Sequence, residues 1–446
     1  MLGVHDKESA LKALEEHDVH FVRFLFTDVL GNLKAFELTR DQIDAVFNEG
    51  MGFDGSSIQG FARIEESDMV AYPDPTTLTI LPGLSNGKKA ASMFCDVVNP
   101  DGTPYAGDPR QALKRVLKKA DEMGYTFNIG PELEFFYFEN EKDPTPIENG
   151  GYFDMTPMNK ATDIRRATVL ALQEAGITVE YSHHECGNSQ HEIDLRYKDA
   201  LHMADTVMMY RLIVKDVANA YGAYASFMPK PIQDEAGNGM HVNQSLFDKD
   251  GNNIFFDKED EKGYFLSDFA QYYIAGLLKY APEFCAVTNQ YVNSYKRLVT
   301  GYEAPVYITW ARRNRSALVR IPLYKPGKGK ATRVEMRNPD PACNPYLVFA
   351  VMLAAGLKGV EDKLELPKEV SDDVFTYTDA QLKEAGIETL PGDLSRAVDK
   401  FEKSELMRET LGDHIHEYFI KNKRAEWAEY RSSVTQWELK RYLPLL

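Results

Sequence analysis

Acidic side chains crowd into a few short segments of this chain. In GPELEFFYF (Gly130 to Phe138) alternate residues of a strand would point the same way, so Glu132 and Glu134 would stand side by side. A lone Glu-x-Glu pair also fits a solvated edge strand. The flanking Leu133, Phe135, Phe136, Tyr137 and Phe138 favour burial on both faces, and buried like charges call for cations nearby. A second segment, Thr178 to Tyr197, holds Glu180, Glu185 and Glu192 with His183, His184 and His191. It lacks HExxH and any Cys/His finger spacing, and its excess of carboxylate oxygen suits Mg²⁺ or Mn²⁺ better than zinc. The histidines read equally as ligands or as packing residues. In a third segment, Gly237-Asn238-Gly239 leads into a strand with His241, Asn243 and Ser245 on one face. Glycine there lets backbone approach a ligand, although a plain hairpin loop has the same composition. In the fourth, Arg333, Glu335 and Arg337 share a face, which read alone is an ion-pair ladder.

The surrounding charge changes that reading. From Lys296 to Arg337 eleven basic residues face only two acids, Glu303 and Glu335, in a chain whose net charge is −17. Among them are Arg297, Arg312, Arg313, Arg315, Arg320 and Lys330, interleaved with apolar residues that suggest half-buried strands. Guanidinium groups offer planar paired donors to carboxylate or phosphate. Glutamate-rich strands for divalent metal beside an arginine-rich segment point to nucleotide-driven phosphoryl transfer. No Walker loop or kinase signature is present, so another fold must carry it.

The elements that would position these groups follow from local pattern. A helix capped near Ser9 precedes two extended segments around a turn at Gly31, giving a small α+β unit in the first hundred residues. Proline and glycine in NPDGTPYAGDPR (Asn99 to Arg110) interrupt regular structure, with a helix starting at Asp108-Pro109 and a domain boundary expected at about 103, dividing the chain into 1–103 and 104–446. Beyond it, short aromatic or β-branched runs alternate with amphipathic helices, and from Leu382 onward the pattern is mostly helical. The longest apolar run, Tyr346 to Leu357, is too short to span a bilayer and reads as a buried helix. With 446 residues, 43% hydrophobic and 27% charged, the chain can bury a large core. Its acidity argues against nucleic acid and membrane surfaces as partners. Unpaired spacing of Cys95, Cys186, Cys285 and Cys343 suits packing thiols in a reducing cytoplasm, and the start lacks the basic and apolar stretches of an export signal.

Ten motifs in order carry a specific resemblance: FDGSSIQGFARIEESDM, GTPYAGDPR, PELEFF, GGYF, HHE, HEID, KPIQDEAGNGMH, YKRLVTGYEAP, RNRSALVRIP and RVEMRNPD. Together they make the chain similar to the bacterial and archaeal type I glutamine synthetases over essentially its whole length. The resemblance implies an α+β protein: a small N-terminal β-grasp-like domain, then a large catalytic domain with a curved antiparallel sheet flanked by helices. It implies ATP-dependent condensation of glutamate with ammonia through γ-glutamyl phosphate, with ATP as co-substrate and two or more Mg²⁺ or Mn²⁺ ions per site.

By the same resemblance, Glu134, Glu185 and Glu192 hold one metal, and Glu132, His241 and Glu335 the other. ATP is expected near Glu180, Tyr197, Asn243, Ser245, Lys330 and Arg333, its phosphates reaching Arg315 and Arg320. Glutamate is expected at Gly237, His241, Arg297, Arg337, Glu303 and Arg315. Asp54, with Ser57, Tyr152 and Glu185, would form the ammonium pocket and take its proton, while Glu303 sits on a flap over the intermediate. The family builds a homododecamer of two stacked hexameric rings, in which Asp54 and Ser57 complete a neighbour's site. Its partners include small nitrogen-regulatory proteins. Where many relatives read NGSGMH this chain has Ala236-Gly237-Asn238-Gly239-Met240-His241, removing one asparagine side chain. The stretch Val370 to Leu390 lacks the pattern of the adenylylation loop, so the short, non-adenylylated alpha subtype is expected, with Arg63 linked to feedback inhibition by glutamine. A ligase using an organic amine, or a catalytically silent assembly protein, are the competing readings.

Overall fold

The computed structural model describes residues 4–58, 60–61, 68–82, 88–155, 160–300, 304–323, 325–372 and 374–446. Two sheets organise it. The first contains β1 (Val19–Thr27), β2 (Leu33–Thr39), β3 (Met51–Asp54), β4 (Asp68–Pro73), β5 (Thr79–Ile80) and β6 (Lys89–Val98) in the order β2-β1-β6-β4-β3, with β5 also on β6. Strands β1 and β6 run parallel, and the other pairs are antiparallel. Against this sheet pack α1 (Lys7–Glu16) and α2 (Ile43–Glu49), closing a core of Leu14, Val22, Phe24, Ile43 and Met93. The cap of α1 is Asp6, a correction to the expected Ser9. Asp6 accepts from the Ser9 N–H while the Ser9 hydroxyl oxygen accepts from the Asp6 N–H. Either residue can cap by chemistry, and the reciprocal box decides which lies outside the helix.

The second sheet holds β7 (Thr126–Phe138), β8 (Val179–His184), β9 (Gln190–Leu195), β10 (Lys198–Asp199), β11 (Tyr224–Ser226), β12 (Met240–Phe247), β13 (Tyr307–Ala311), β14 (Ala317–Arg320) and β15 (Val334–Met336). Its order is β13-β14-β15-β12-β7-β9-β8, with β10 and β11 paired to β7. The pairs are antiparallel except β13 with β14. The long central β7 is buried on both faces along most of its length, as its aromatic sequence requires. Packed around it are α3 (Pro109–Glu122), capped by Asp108 with Pro109 in its first turn, α4 (Lys160–Glu174), α5 (Ala200–Ala220), α6 (Asp268–Thr288), α7 (Ser294–Arg297) and α8 (Pro345–Glu361). The expected apolar helix is α8, buried over most of its length. It approaches α6 at backbone distance, because a Cβ on Gly276 would lie 2.2 Å from the Ala355 oxygen and one on Gly359 2.3 Å from that of Tyr272. The chain ends in α9 (Asp379–Glu384), α10 (Leu394–Glu402), α11 (Glu405–Leu411), α12 (Asp413–Ser432) and α13 (Gln436–Tyr442).

Buried polar contacts lock the two sheets' units together. Asn344 caps α8 with its side-chain oxygen, and its amide nitrogen donates to the Asp28 and Val29 carbonyls of the turn after β1. Arg110, 2% exposed, joins Asp74 and Asp96 of the first unit to Asp205 on α5. Among the cysteines, Cys95, Cys285 and Cys343 are buried, whereas Cys186 is exposed in the loop after β8. That corrects the expectation of four packing thiols. No helix among the described residues is long and apolar enough to cross a membrane.

Candidate active site

Strand register assembles the site. His241 on β12 pairs with Glu132 on β7, Glu132 with Asp194 on β9, and Asp194 with Tyr181 on β8. One row further along, Glu134 pairs with Glu192 and Glu192 with His183. Toward the other edge Asn243 pairs with Glu335 and Glu335 with Arg320. Residues two apart share a face, so segments distant in sequence present carboxylates and imidazoles to the same side.

Two groups could each take a cation, with one donor atom from each residue lying within 4.8 Å of the others: Glu132, His241 and Glu335, and His183, Glu185 and Glu192. In the first, His241 Nδ1 is 3.3 Å from Glu132 Oε2 and 4.0 Å from Glu335 Oε1. Asn243 donates to Glu132 Oε1 at 2.8 Å. Burial alone would raise the Glu132 carboxyl, but hydrogen bonds from His241 and Asn243 and the charge of Arg337 hold it down to about 2. Burial and Arg337 keep the His241 ring neutral, the form that binds metal. Arg320 donates to Glu335 Oε2 at 2.5 Å and Arg337 to Oε1, bracketing a carboxylate that is 1% exposed.

In the second group His183 lies 3.6 Å from Glu185 and 3.7 Å from Glu192. Glu134 sits beside it, accepting from the Gly239 N–H at 2.8 Å and from Gln190 Nε2 at 3.0 Å. Burial, then the charge of Glu185, pushes Glu134 up to about 8, while burial with Asp194 and Glu134 pushes Glu192 well above its ordinary range. Carboxylates raised in this way gain most from a divalent cation, and both donor sets, oxygen with one imidazole, fit Mg²⁺ or Mn²⁺.

The basic window supplies the opposite wall. Arg297, buried, donates to the carbonyls of Asn338 and Arg337 and backs the glycine loop, since a Cβ on Gly239 would come within 2.7 Å of its Nη2. Arg333 donates to Asn243 Oδ1 at 2.8 Å. Strand β15 spans only Val334–Met336, so Arg333 and Arg337 flank it. Further out, Tyr197 stacks near Phe247, Ser245 is buried, and Glu180, Lys330 and Arg315 are exposed. Tyr152 hydrogen-bonds Arg315 and meets the His183 ring edge-on at 5.5 Å.

Asp54 and Ser57 lie exposed at the end of β3, in the other sheet. The Asp54 carboxylate accepts from the Ser56 hydroxyl and from the Ser56 N–H, which hold it below the usual range. Among the described residues, no hydrogen bond or ion pair joins either of them to Tyr152 or Glu185. Glu303 and Arg63 fall outside the described residues. His183, read from sequence equally as ligand or packing residue, enters the cation face together with Asp194, which was not singled out, and Gln190 and Asn238 tie the glycine loop to β9. A third group, Glu148, His184 and His191, is buried behind the site. Arg165 Nη1 lies 2.7 Å from His191 Nδ1, and an arginine can only donate, so the proton of that ring sits on Nε2, 2.8 Å from Glu148 Oε1 but without a hydrogen bond to it.

A sheet face that gathers two carboxylate-and-imidazole basins beside a guanidinium wall could hold divalent cations against an anionic substrate, the equipment of an enzyme that handles phosphoryl groups. Residues 18–100 match the family model of the glutamine synthetase beta-Grasp domain and residues 106–442 that of the glutamine synthetase catalytic domain. The glutamine synthetase of Methanosarcina mazei is 49% identical over 99% of this chain and 98% of its own length. That of Mycolicibacterium smegmatis is 51% identical over 98% and 99%. Among solved structures, a protein named GmaS, in a complex with ADP, superposes with a TM-score of 0.88 at 32% identity over 98% of this chain and 99% of its own. Plasmodium falciparum glutamine synthetase superposes with a TM-score of 0.87 at 26% identity, covering 98% of each chain. The chain belongs to the glutamine synthetase family, and its α+β architecture is the one expected from sequence.

Proposed function

We propose that this protein joins L-glutamate to ammonia at the expense of ATP, and that the cation face of the second sheet is where it does so. The convergence of Glu132, His241 and Glu335 with His183, Glu185 and Glu192 on one face beside Arg320 and Arg337 carries the reading. Two Mg²⁺ or Mn²⁺ ions would be held there, by the first group and by Glu134, Glu185 and Glu192 with His183 adjoining; when bound they neutralise phosphoryl charge. ATP lies with its base end toward Tyr197, Ser245, Lys330, Glu180 and Arg333 and its phosphates toward Arg315 and Arg320. Glutamate is held by Arg297, Arg337, Gly237 and His241.

In the first step the glutamate γ-carboxylate attacks the terminal phosphorus, the bond to the bridging oxygen breaks, and ADP leaves. Ammonium has no free electron pair until it loses a proton, so an anionic pocket of Asp54, Ser57, Tyr152 and Glu185 holds it and Asp54 takes the proton. Ammonia then attacks the acyl carbon of γ-glutamyl phosphate, and phosphate departs with the bond electrons. Glu303 closes over this intermediate, which water would otherwise hydrolyse. The exposure of Asp54 and Ser57, in the unit of the first sheet while Tyr152 lies in a turn between β7 and α4, supports a site shared between subunits of a ring, stacked as a homododecamer in the cytoplasm. Arg63 serves feedback inhibition in the non-adenylylated subtype, and small nitrogen-regulatory proteins are further partners.

Purified protein supplied with ATP, Mg²⁺, glutamate and ammonium is expected to release phosphate in step with glutamine. Glu335→Ala is expected to lose this activity, and a panel of organic amines to be used poorly. Phosphate release without glutamine, or preference for an amine, would overturn the assignment.

A further inference from the structure

Asp194 is a carboxylate between the two cation groups that belongs to neither. It stands opposite Glu132 on β7, opposite Tyr181 on β8, and two residues along β9 from Glu192, so it shares their face. It is 4% exposed, and its side chain hydrogen-bonds Tyr181 and, while one of the two acids carries a proton, Glu192. Its Oδ1 is buried and has no hydrogen-bond partner. A buried acceptor left unpaired is costly, so this oxygen needs a donor.

The cationic side chains of the site are committed elsewhere. Arg320 and Arg337 grip Glu335, Arg297 grips two backbone carbonyls, and His183 lies between Glu185 and Glu192. A water on a divalent cation is a stronger donor than bulk water, and Mg²⁺ in particular keeps several of its waters in protein sites. Groups that fix a metal's waters and ligands from behind set its affinity.

We propose that Asp194 is a positioning residue for the cations, its free oxygen accepting from a cation-bound water on the Glu132 side. This rests on the twin-cation reading above, and it adds a residue that contacts neither ATP nor glutamate.

The test is calorimetric titration of the assembled, substrate-free protein with Mn²⁺, alongside the Mg²⁺ concentration that half-activates the enzyme. Asp194→Asn keeps the shape but changes an oxygen acceptor into an amide. It is expected to weaken Mn²⁺ binding about 10-fold or more and raise the half-activating Mg²⁺ concentration similarly, with most of kcat returning at saturating metal. An unchanged Mn²⁺ affinity in a correctly assembled Asp194→Asn protein would overturn the proposal. Tyr181→Phe, at an exposed position, removes the neighbouring hydroxyl and is expected to weaken Mn²⁺ binding in the same direction. If Asp194→Asn fails to assemble, Tyr181→Phe decides: weaker binding supports the proposal and unchanged binding overturns it. Glu335→Ala is the control for the underlying reading. If it too leaves Mn²⁺ binding intact, the twin-cation assignment itself fails, which is a different result from the failure of Asp194 alone.

Discussion

A methyl group on Gly237 would lie 2.5 Å from the Pro229 carbonyl oxygen and 2.9 Å from Arg297 Cγ. The first obstacle is backbone, and the second is a buried side chain fixed by two carbonyls, so neither yields cheaply. Gly237→Ala is therefore expected to lower kcat/KM for glutamate by about 10-fold to 100-fold through displacement of the loop and Arg297. Glutamate titration under saturating ATP, with circular dichroism to confirm folding, checks it. This close approach was legible in the Gly-x-Gly spacing, whereas the reason for Asn238 was not. Its amide donates to the Met228 carbonyl at 2.9 Å, so it braces the loop where many relatives have serine. Glu132 and Glu134 were visible because a strand repeats every two residues. His183 was named as a candidate, but adjacent histidines point to opposite sides, and only the pairing of His183 with Glu192 shows which one faces the acids. Asp194 stands two residues from Glu192, the same spacing as Glu132 and Glu134, and that signal was passed over; only its pairing with Glu132 on another strand could not be read locally.

At the scale of elements, strands were readable where alternation or aromatic content was strong, as in β7 and β12. The junction between the two units was not, because it is built from side chains scattered over the chain. One strand of that junction runs from α5 to the loop before β5. His202 Nδ1 lies 2.9 Å from Asp199 Oδ1, its Nε2 is 3.1 Å from Thr76 Oγ1, and the Thr76 hydroxyl donates to Asp74, which also binds Arg110. With Thr76 already donating to Asp74, its oxygen is left to accept from His202, so the ring has acceptors at both nitrogens and is favoured as the cation. The Asp199 hydrogen bond raises its pKa above 6.5, against partial burial, with the charges of Asp199, Asp205 and Asp74 acting in the same direction. A group raised on folding gives stability that is full below its unfolded pKa and is lost as pH climbs through the folded value. His202→Gln is thus expected to lower the melting temperature relative to wild type at about pH 6 and to differ less at about pH 9. Thermal unfolding at matched ionic strength checks it, and a difference that grows with pH would contradict the sign.

At the scale of the whole molecule, the proposed chemistry has an unusual requirement, because the base for ammonium and the cation basins lie on different sheets. Asp54 is exposed on β3, while Glu335 is buried on β15, and among the described residues no hydrogen bond or ion pair links them. If the N-terminal unit of one subunit completes the neighbour's site, loss of either residue silences every site in a uniform ring. Mixing the two defective chains is then informative. A site formed from the Asp54 of a Glu335→Ala subunit and the Glu335 of an Asp54→Ala subunit is intact. With equal amounts and random order around the ring, about a quarter of the sites should have both residues. Each variant alone is expected to be inactive. Co-refolded or co-expressed mixtures should recover about a quarter of the wild-type specific activity, and a chain carrying both substitutions should rescue nothing when mixed with either. Recovery depends on interfaces between subunits, so dilution below the assembly threshold should abolish it even though each chain stays folded. Activity confined to wild-type chains, with no rescue in any mixture, would place Asp54 and the cation face in the same subunit and break the shared-site reading while leaving the metal assignment standing.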